Sequence, residues 1–491
     1  MYLKLGLSLT NEYFSAFLFS ASGVCPDSPF ILHPSTNARV FVVPDPSHLL
    51  KNTRNCLKQY DIEFEPGRVA QWKWFSALCH LEFAAELRLC PKLKQCHLDL
   101  PVGLNMKVNI AAQTLSFSAA AAIRCYVQLG KLSADSLDTA DFLEKMNTCF
   151  DLVNSSSAQA RDPTRVSVSR VNLLSRKADF KALINWISKW KIIRRMDGQV
   201  MQRHEFPLGW RVALSSLGQL ATLCLRDGLE YLSLRRFGQD HIENLFCVIR
   251  GRNGYNDRPE YRPFQSAMRS AALSNLLRPL TSASNCEADD DNMLTSVLLK
   301  RKKVACVAGA SSTAALQSEP ESDEEDEDDL TEVVENYHLF TSEIQAISYV
   351  GGYIVQKLQW KKKINCDECV AALVSSVSSK FVQLKQFDYE DCAQLLTPSQ
   401  QLLAFLRSSE VTFRRHITHM AHRANVGATL RRRIYKNAPP LRVCEGHHVS
   451  DCVLTLFLRI RLHHWCKLTN QSLKSVREAK RKAKKQKKLG C

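Results

Sequence analysis

"FGQDHIENLFCVIRGRNGYNDRP", residues 237–259, places two carboxylates one turn apart and then breaks into a basic, glycine-bearing loop. With helical periodicity over 238–250, Ile242, Leu245, Phe246 and Ile249 fall at i, i+3, i+4 and i+7 and predict an apolar stripe turned to a core. Asp240, Glu243, Asn244 and Cys247 repeat that spacing about half a turn away, so both carboxylates share the opposite face and can address one ligand or metal. Gly251 and Gly254 are expected to end the helix, and "RGRNGYNDRP" adds three arginines among turn-forming residues. An acidic first turn also suits an ordinary surface helix, because it complements the macrodipole. Chemistry alone leaves both readings open.

Around this stretch lies a chain of 491 residues, long enough for two to four domains, with 45% hydrophobic content. Lys and Arg total 66 against 49 Asp and Glu, a net charge of +17, and the isoelectric point is about 9.2. Polyanions are therefore the first partners to consider, nucleic acid foremost. The 18 cysteines follow no regular framework, which favours a reducing compartment over disulfides. Asn11 and Glu12 interrupt the apolar N-terminus, and no run of 18 apolar residues occurs, so a soluble chain with no membrane partner is expected. "SEPESDEEDEDDL", 318–330, repels itself and should stay solvated, and the polar stretch before it from about Thr281 reads as linker. "KRKK", 300–303, and "REAKRKAKKQKK", 477–488, suit nuclear import or phosphate contact, or equally a solvated helix end.

The stretch extended to "FGQDHIENLFCVIRGRNGYNDRPEYRPFQSAMR" resembles the strongest motif of P-element-type DNA transposases, the family that includes the THAP-domain transposase-derived proteins. "RVFVVPDPSHLLKNTRNCL", 39–57, is similar to the family's D-x-x-H-L-x-K-x-x-R-N strand and helix. "LNMKVNIAAQTLSFSAAAAI", 104–123, and "TADFLEKMNTCFDLVNS", 139–155, resemble its GTP-binding insertion domain, and "ISYVGGYIVQKL", 347–358, a C-terminal segment. The implied architecture is mainly α with a small β component. It is the C-terminal part of an RNase H-like fold interrupted by a helical GTP-binding insertion domain, plus a helical C-terminal domain. The expected segments are 1–60, the last RNase H-like strand and its helix; 61–225, the insertion domain; and 226–280, the RNase H-like C-terminal part. An acidic linker, 281–331, a helical domain, 332–475, and a basic tail, 476–491, follow.

The resemblance makes Glu243 the match to the last carboxylate of an Asp-Asp-Glu triad, a catalytic residue and Mg2+ ligand. The family's two earlier aspartates and zinc finger precede the segment around Asp45, where this sequence has 44 residues, so they are expected to be missing and strand transfer lost. Glu243 is then without partners, since Asp240 shares its helix and two-metal chemistry needs carboxylates from separate elements. Asp45 itself is not assigned to metal. The alternatives are a domesticated DNA- or protein-binding module and the C-terminal portion of an active transposase.

No G-x-x-x-x-G-K-[ST] loop occurs, so GTP must be held without a P-loop. The resemblance implies contacts from Lys92, Lys107, Val108, Asn109, Ser116, Asn147, Phe150 and Asp151, with Asp240 reaching in from the catalytic-type helix. Lysines can neutralise phosphates, a Phe can stack on a purine, and a carboxylate can accept both hydrogens of guanine's edge. Along 139–155, Phe142, Leu143, Met146, Phe150 and Val153 read as core, and Asn147, Asp151 and Asn154 as a polar stripe. A nuclear, DNA-contacting protein is the expectation, a homodimer being what the resemblance implies, with phosphate contacts from 250–262, from "FRRHITHMAHRANVGATLRRRIYK", 413–436, and from the tail. Cys366 and Cys369 have zinc-ligand spacing, and His416, His419, His422, Cys444, His447, His448, Cys452 and the "HHWC" at 463–466 compete to complete the set.

Overall fold

The computed structural model describes residues 23–99, 107–157, 160, 162–201, 204–252, 254, 260–275, 339–361, 364, 366–386, 395–422, 425–444 and 447–488; at 241, 271–275 and 471–488 it describes the backbone. The expected acidic linker, "KRKK" and the first 22 residues lie outside these. Helices dominate, with short strands between them. The described residues form two compact units, one within Met1–Ser76, Lys94–Ala119 and Asp138–Glu335, the other within Ala77–Leu93, Ala120–Leu137 and Asn336–Cys491.

The first unit is built around the helix Pro46–Gln59. Asp45 caps it by accepting the His48 N–H, and Pro46 starts it where no amide donor is needed. Leu49, Leu50, Thr53, Arg54 and Leu57 are fully buried, each large apolar side chain contributing about 1.5–3 kcal/mol. The helices Val108–Thr114 and Phe206–Arg226 pack against it. Across the latter contact the Trp210 indole donates to Thr53 Oγ1 at 3.0 Å, and Thr53 passes its own hydrogen to the Leu49 carbonyl. The chain then turns into a four-stranded antiparallel sheet in the order Arg68–Ala70, Asp61–Glu65, Lys191–Ile193, Val200–Met201.

Strand alternation sends Ile62 and Phe64 inward. There Phe64 meets Phe142 and Trp186 at centroid separations of 5.7 and 6.0 Å, and Trp190 extends the cluster. Phe142, Leu143, Met146, Phe150 and Val153 of the helix Ser136–Val153 are all buried, in line with their periodicity. Arg68 ties strand to helix, paired with Glu65, Asp138 and Asp141. Leu173–Ile187 packs along Phe206–Arg226.

The helix Asp240–Arg252 packs on Tyr261–Asn275, with Ile249 and Ala267 buried against Val248 and Phe264. Its predicted stripe is only partly realised. Ile242, Leu245 and Phe246 are 36%, 38% and 42% exposed, while Asn244 is 4% exposed. The reason is tertiary: the first turn is docked through its polar side onto the cap of Pro46–Gln59, which turns the apolar residues of that half outward. Gly251 lies within the helix, and the left-handed Gly254, with φ of 64°, follows its end.

In the second unit Thr341–Trp360 packs against Gln400–Met420, Lys380–Leu384 and Val449–Lys488. Glu343, fully buried, accepts the amides of Glu86 and Leu87 and pairs with Arg414 at 2.9 Å; Arg414 also bonds Glu410, which Arg461 reaches at 2.6 Å. These buried charges are compensated by partners, the condition under which they are tolerated.

Candidate functional site

Two constellations in the first unit bear on function. The first begins at Asp45, 1% exposed. One carboxylate oxygen accepts His48 N–H at 2.9 Å and His48 Nδ1 at 2.6 Å, and the other accepts the Gln239 amide at 2.9 Å. Burial works to raise its pKa, but the His48 ring and the Gln239 and His48 amides outweigh that and leave the carboxyl below its ordinary value. Gln239 immediately precedes the helix that carries Asp240 and Glu243, so Asp45 joins the starts of two helices. The far side of the imidazole, Nε2, stands 3.7 Å from Glu243 Oε1.

Glu243 therefore has a neighbour that the sequence did not supply, and it correlates with the D-x-x-H spacing at 45–48. The i, i+3 separation across a proline-started helical turn puts an imidazole beside its own cap. Asp240 is half-buried on the same first turn.

The second constellation lies on Ser136–Val153. Asn147 donates to Asp151 at 2.8 Å, and Arg165 reaches the same carboxylate at 3.1 Å. Burial raises the Asp151 pKa, and Arg165 opposes that. Arg176, itself buried, fixes the loop by donating to the carbonyls of Pro163, Thr164 and Val166. Ser155, just beyond the helix, accepts from Ser233 Oγ and the Arg235 amide, both at 3.2 Å. Strands Val168–Ser169 and Tyr231–Leu232 pair nearby. Together these tie the Asp151 end of the helix to the segment leading into Asp240.

The remaining expected nucleotide contacts are dispersed. Lys107 is half-buried, Val108 buried and Asn109 exposed at the start of Val108–Thr114. Ser116 accepts the Ala119 amide at 3.1 Å and donates to the Gln113 carbonyl. Phe150 is 8% exposed and packed as core, and Lys92 is exposed in the second unit. Arg165 as a partner of Asp151 was not legible, since nothing in its spacing links it to residue 151.

In the second unit Cys366, Cys369, Cys444 and His447 bring their ligand atoms within 4.8 Å of one another, a set that could hold a metal. Among the competing histidines, His416 instead contacts Arg433 at 3.0 Å, and burial and that arginine push its pKa down to about 4. His464 contacts Arg461.

Comparison with known proteins now adds the family. Residues 47–165 match the model "TNP-like, GTP-binding insertion domain", 236–269 match "TNP-like, RNase H C-terminal domain", and 329–438 match "DNA transposase THAP9, C-terminal domain". Over these three segments the chain is similar to the P-element-type transposases. The Transposable element P transposase of Drosophila melanogaster is 25% identical over 356 residues, 71% of this chain and 44% of that protein. The solved Drosophila P element transposase strand transfer complex matches with 23% identity and a TM-score of 0.46, over 52% of this chain and 57% of that one. The chain thus spans less than half the length of this curated relative. Among the described residues no helix is long and apolar enough to cross a membrane.

Proposed function

We propose that this P-element-type chain binds GTP through its insertion domain and contacts DNA through exposed basic surface, in the nucleus. The observation that carries the GTP reading is the Asn147–Asp151–Arg165 face, within the matched insertion domain and tied through Ser155 to the segment before Asp240. A carboxylate there can accept from guanine's edge, with Arg165 released to a phosphate or to solvent. Lys107, Asn109 and Ser116, in the same unit, are the further proposed contacts. The insertion domain is tested by titrating GTP and XTP into the wild type and Asp151→Asn. Saturable GTP binding by the wild type, weakened at least tenfold in the variant with XTP gained relative to GTP, is expected. Equal GTP binding by both proteins would remove Asp151 from the site, and none by either would remove the nucleotide.

DNA contact is supported by exposed Arg415, Arg432, Arg433 and Lys436 in the second unit and by Arg250, Arg252, Arg262 and Arg269 in the first. Arg414, in the same basic stretch as Arg415, is committed to buried carboxylates and is not offered to a ligand. A homodimer fits the resemblance and is part of the same proposal.

A second reading, strand transfer, is favoured by one observation: Asp45 and His48, from the cap and first turn of Pro46–Gln59, meet Glu243 of Asp240–Arg252. Mg2+ demands a near-octahedral oxygen shell. Here both Asp45 oxygens accept N–H groups and Glu243 faces a ring nitrogen, so these residues as arranged do not fit that ion. What the chain's own residues do is position: Asp45 orients the imidazole, and the imidazole faces Glu243.

A further inference from the structure

We propose that Cys366, Cys369, Cys444 and His447 form a structural zinc site that closes the second unit on itself. Each half is a pair at i, i+3. Cys366 precedes the short helix Asp367–Leu373 and Cys369 lies in its first turn; Cys444 and His447 stand just before Val449–Lys488. The pairs are far apart in sequence, with Cys369 and Cys444 separated by 75 positions, yet the structure joins them.

Tetrahedral zinc with Zn–S of about 2.3 Å and Zn–N of about 2.0 Å requires S···S near ~3.8 Å and S···N near ~3.6 Å. Cys366 Sγ and Cys444 Sγ are 3.8 Å apart, and Cys369 Sγ and His447 Nδ1 are 3.6 Å apart. Two further separations, 3.2 Å between Cys369 and Cys444 and 2.8 Å between Cys444 and His447, are shorter and would open slightly around an ion, and all four donor atoms lie within 4.8 Å of one another. Four donors, with no fifth in the cluster among the described residues, make a closed set of the structural kind. Three sulfurs and one imidazole select zinc over magnesium or calcium, which take oxygen. On binding, the three thiols give up their protons to solvent and His447 binds through its neutral ring.

The consequence is mechanical. The intervening chain includes Gln400–Met420 and Val426–Asn437, which pack on each other. A metal clip across them removes loop-closure freedom from the unfolded chain and fixes where the long C-terminal helix starts. This inference is independent of the GTP and DNA proposals.

The test is elemental analysis of the purified full chain for zinc, iron and copper, with Cys444→Ser, His447→Ala and the control Cys452→Ser, whose thiol is outside the cluster. About one zinc per chain is expected in the wild type and in Cys452→Ser, and at least a tenfold loss of zinc affinity in the other two. Exchange of the wild type with cobalt(II) should give thiolate-to-cobalt charge-transfer bands with tetrahedral d–d bands, and this decides the matter should the cluster variants fail to fold. Folded wild type holding less than about one zinc per several chains after dialysis against zinc would overturn the proposal. So would iron or copper in place of zinc, a Cys369–Cys444 disulfide recovered by non-reducing mass spectrometry, or an equal loss of zinc in Cys452→Ser.

Discussion

Asp45 bears directly on the position of the helix Asp240–Arg252, because its two oxygens serve the starts of two helices at once. Its pKa lies below the ordinary 3.8 in the folded chain. The sign follows from linkage: a carboxyl depressed by folding contributes stability that is fully present above 3.8 and is lost as pH falls through the lower folded value. Asp45→Asn keeps the shape and removes the charge, and it should cost about 1–2 kcal/mol at pH 7. Urea midpoints of the two proteins should converge as pH falls well below 3.8; a gap of the same size at pH 7 and at the acid end would show that the charge is irrelevant. At this scale Asp240, Glu243 and Asp151 are legible in the sequence by type and position, but their partners are not. His48 beside Glu243 and Arg165 beside Asp151 come from chain segments 195 and 14 positions away, and no local spacing encodes such meetings.

Elements follow their periodicity where one face is covered along its whole length and depart from it where docking is local. Ser136–Val153 buries every predicted core residue, with Phe142 in the aromatic cluster and Asp138 and Asp141 tied to Arg68 of the sheet. Asp240–Arg252 does not, because its start is held by the Gln239 amide donating to the Asp45 cap rather than by apolar packing. Thr341–Trp360 shows the opposite extreme, a helix whose packing depends on an absent side chain. A Cβ on Gly352 would lie 1.8 Å from the Leu396 carbonyl oxygen, and one on Gly351 would be 3.0 Å from Leu406. Gly352→Ala should therefore destabilise the second unit by more than about 3 kcal/mol, since backbone cannot yield as a rotamer can. Gly427→Ala, where a Cβ meets nothing, is the matched control and should change stability by less than about 0.5 kcal/mol. Thermal unfolding of both variants decides it, and similar midpoints for the two would refute the close approach.

At the scale of the whole molecule, a charge of +17 makes association with polyanions the expectation to measure. Log affinity for duplex DNA should fall linearly with log salt, with a slope of about −0.9 per phosphate neutralised. Replacing Arg432 and Lys436 together by Ala should flatten the slope by up to about two such contacts and weaken all sequences alike. Binding that is indifferent to salt would exclude the phosphate-contact reading. What the sequence by itself determined was the mainly helical class, the P-element-type motifs in their order, and the types of residue that chemistry requires, because periodicity and short spacing are local properties. Only the tertiary structure decided which face of Asp240–Arg252 is covered, which imidazole meets Glu243, and which of several cysteine and histidine candidates join Cys366 and Cys369. Those depend on contacts between segments up to about two hundred positions apart, whose cost in chain entropy is met by packing that no single stretch contains.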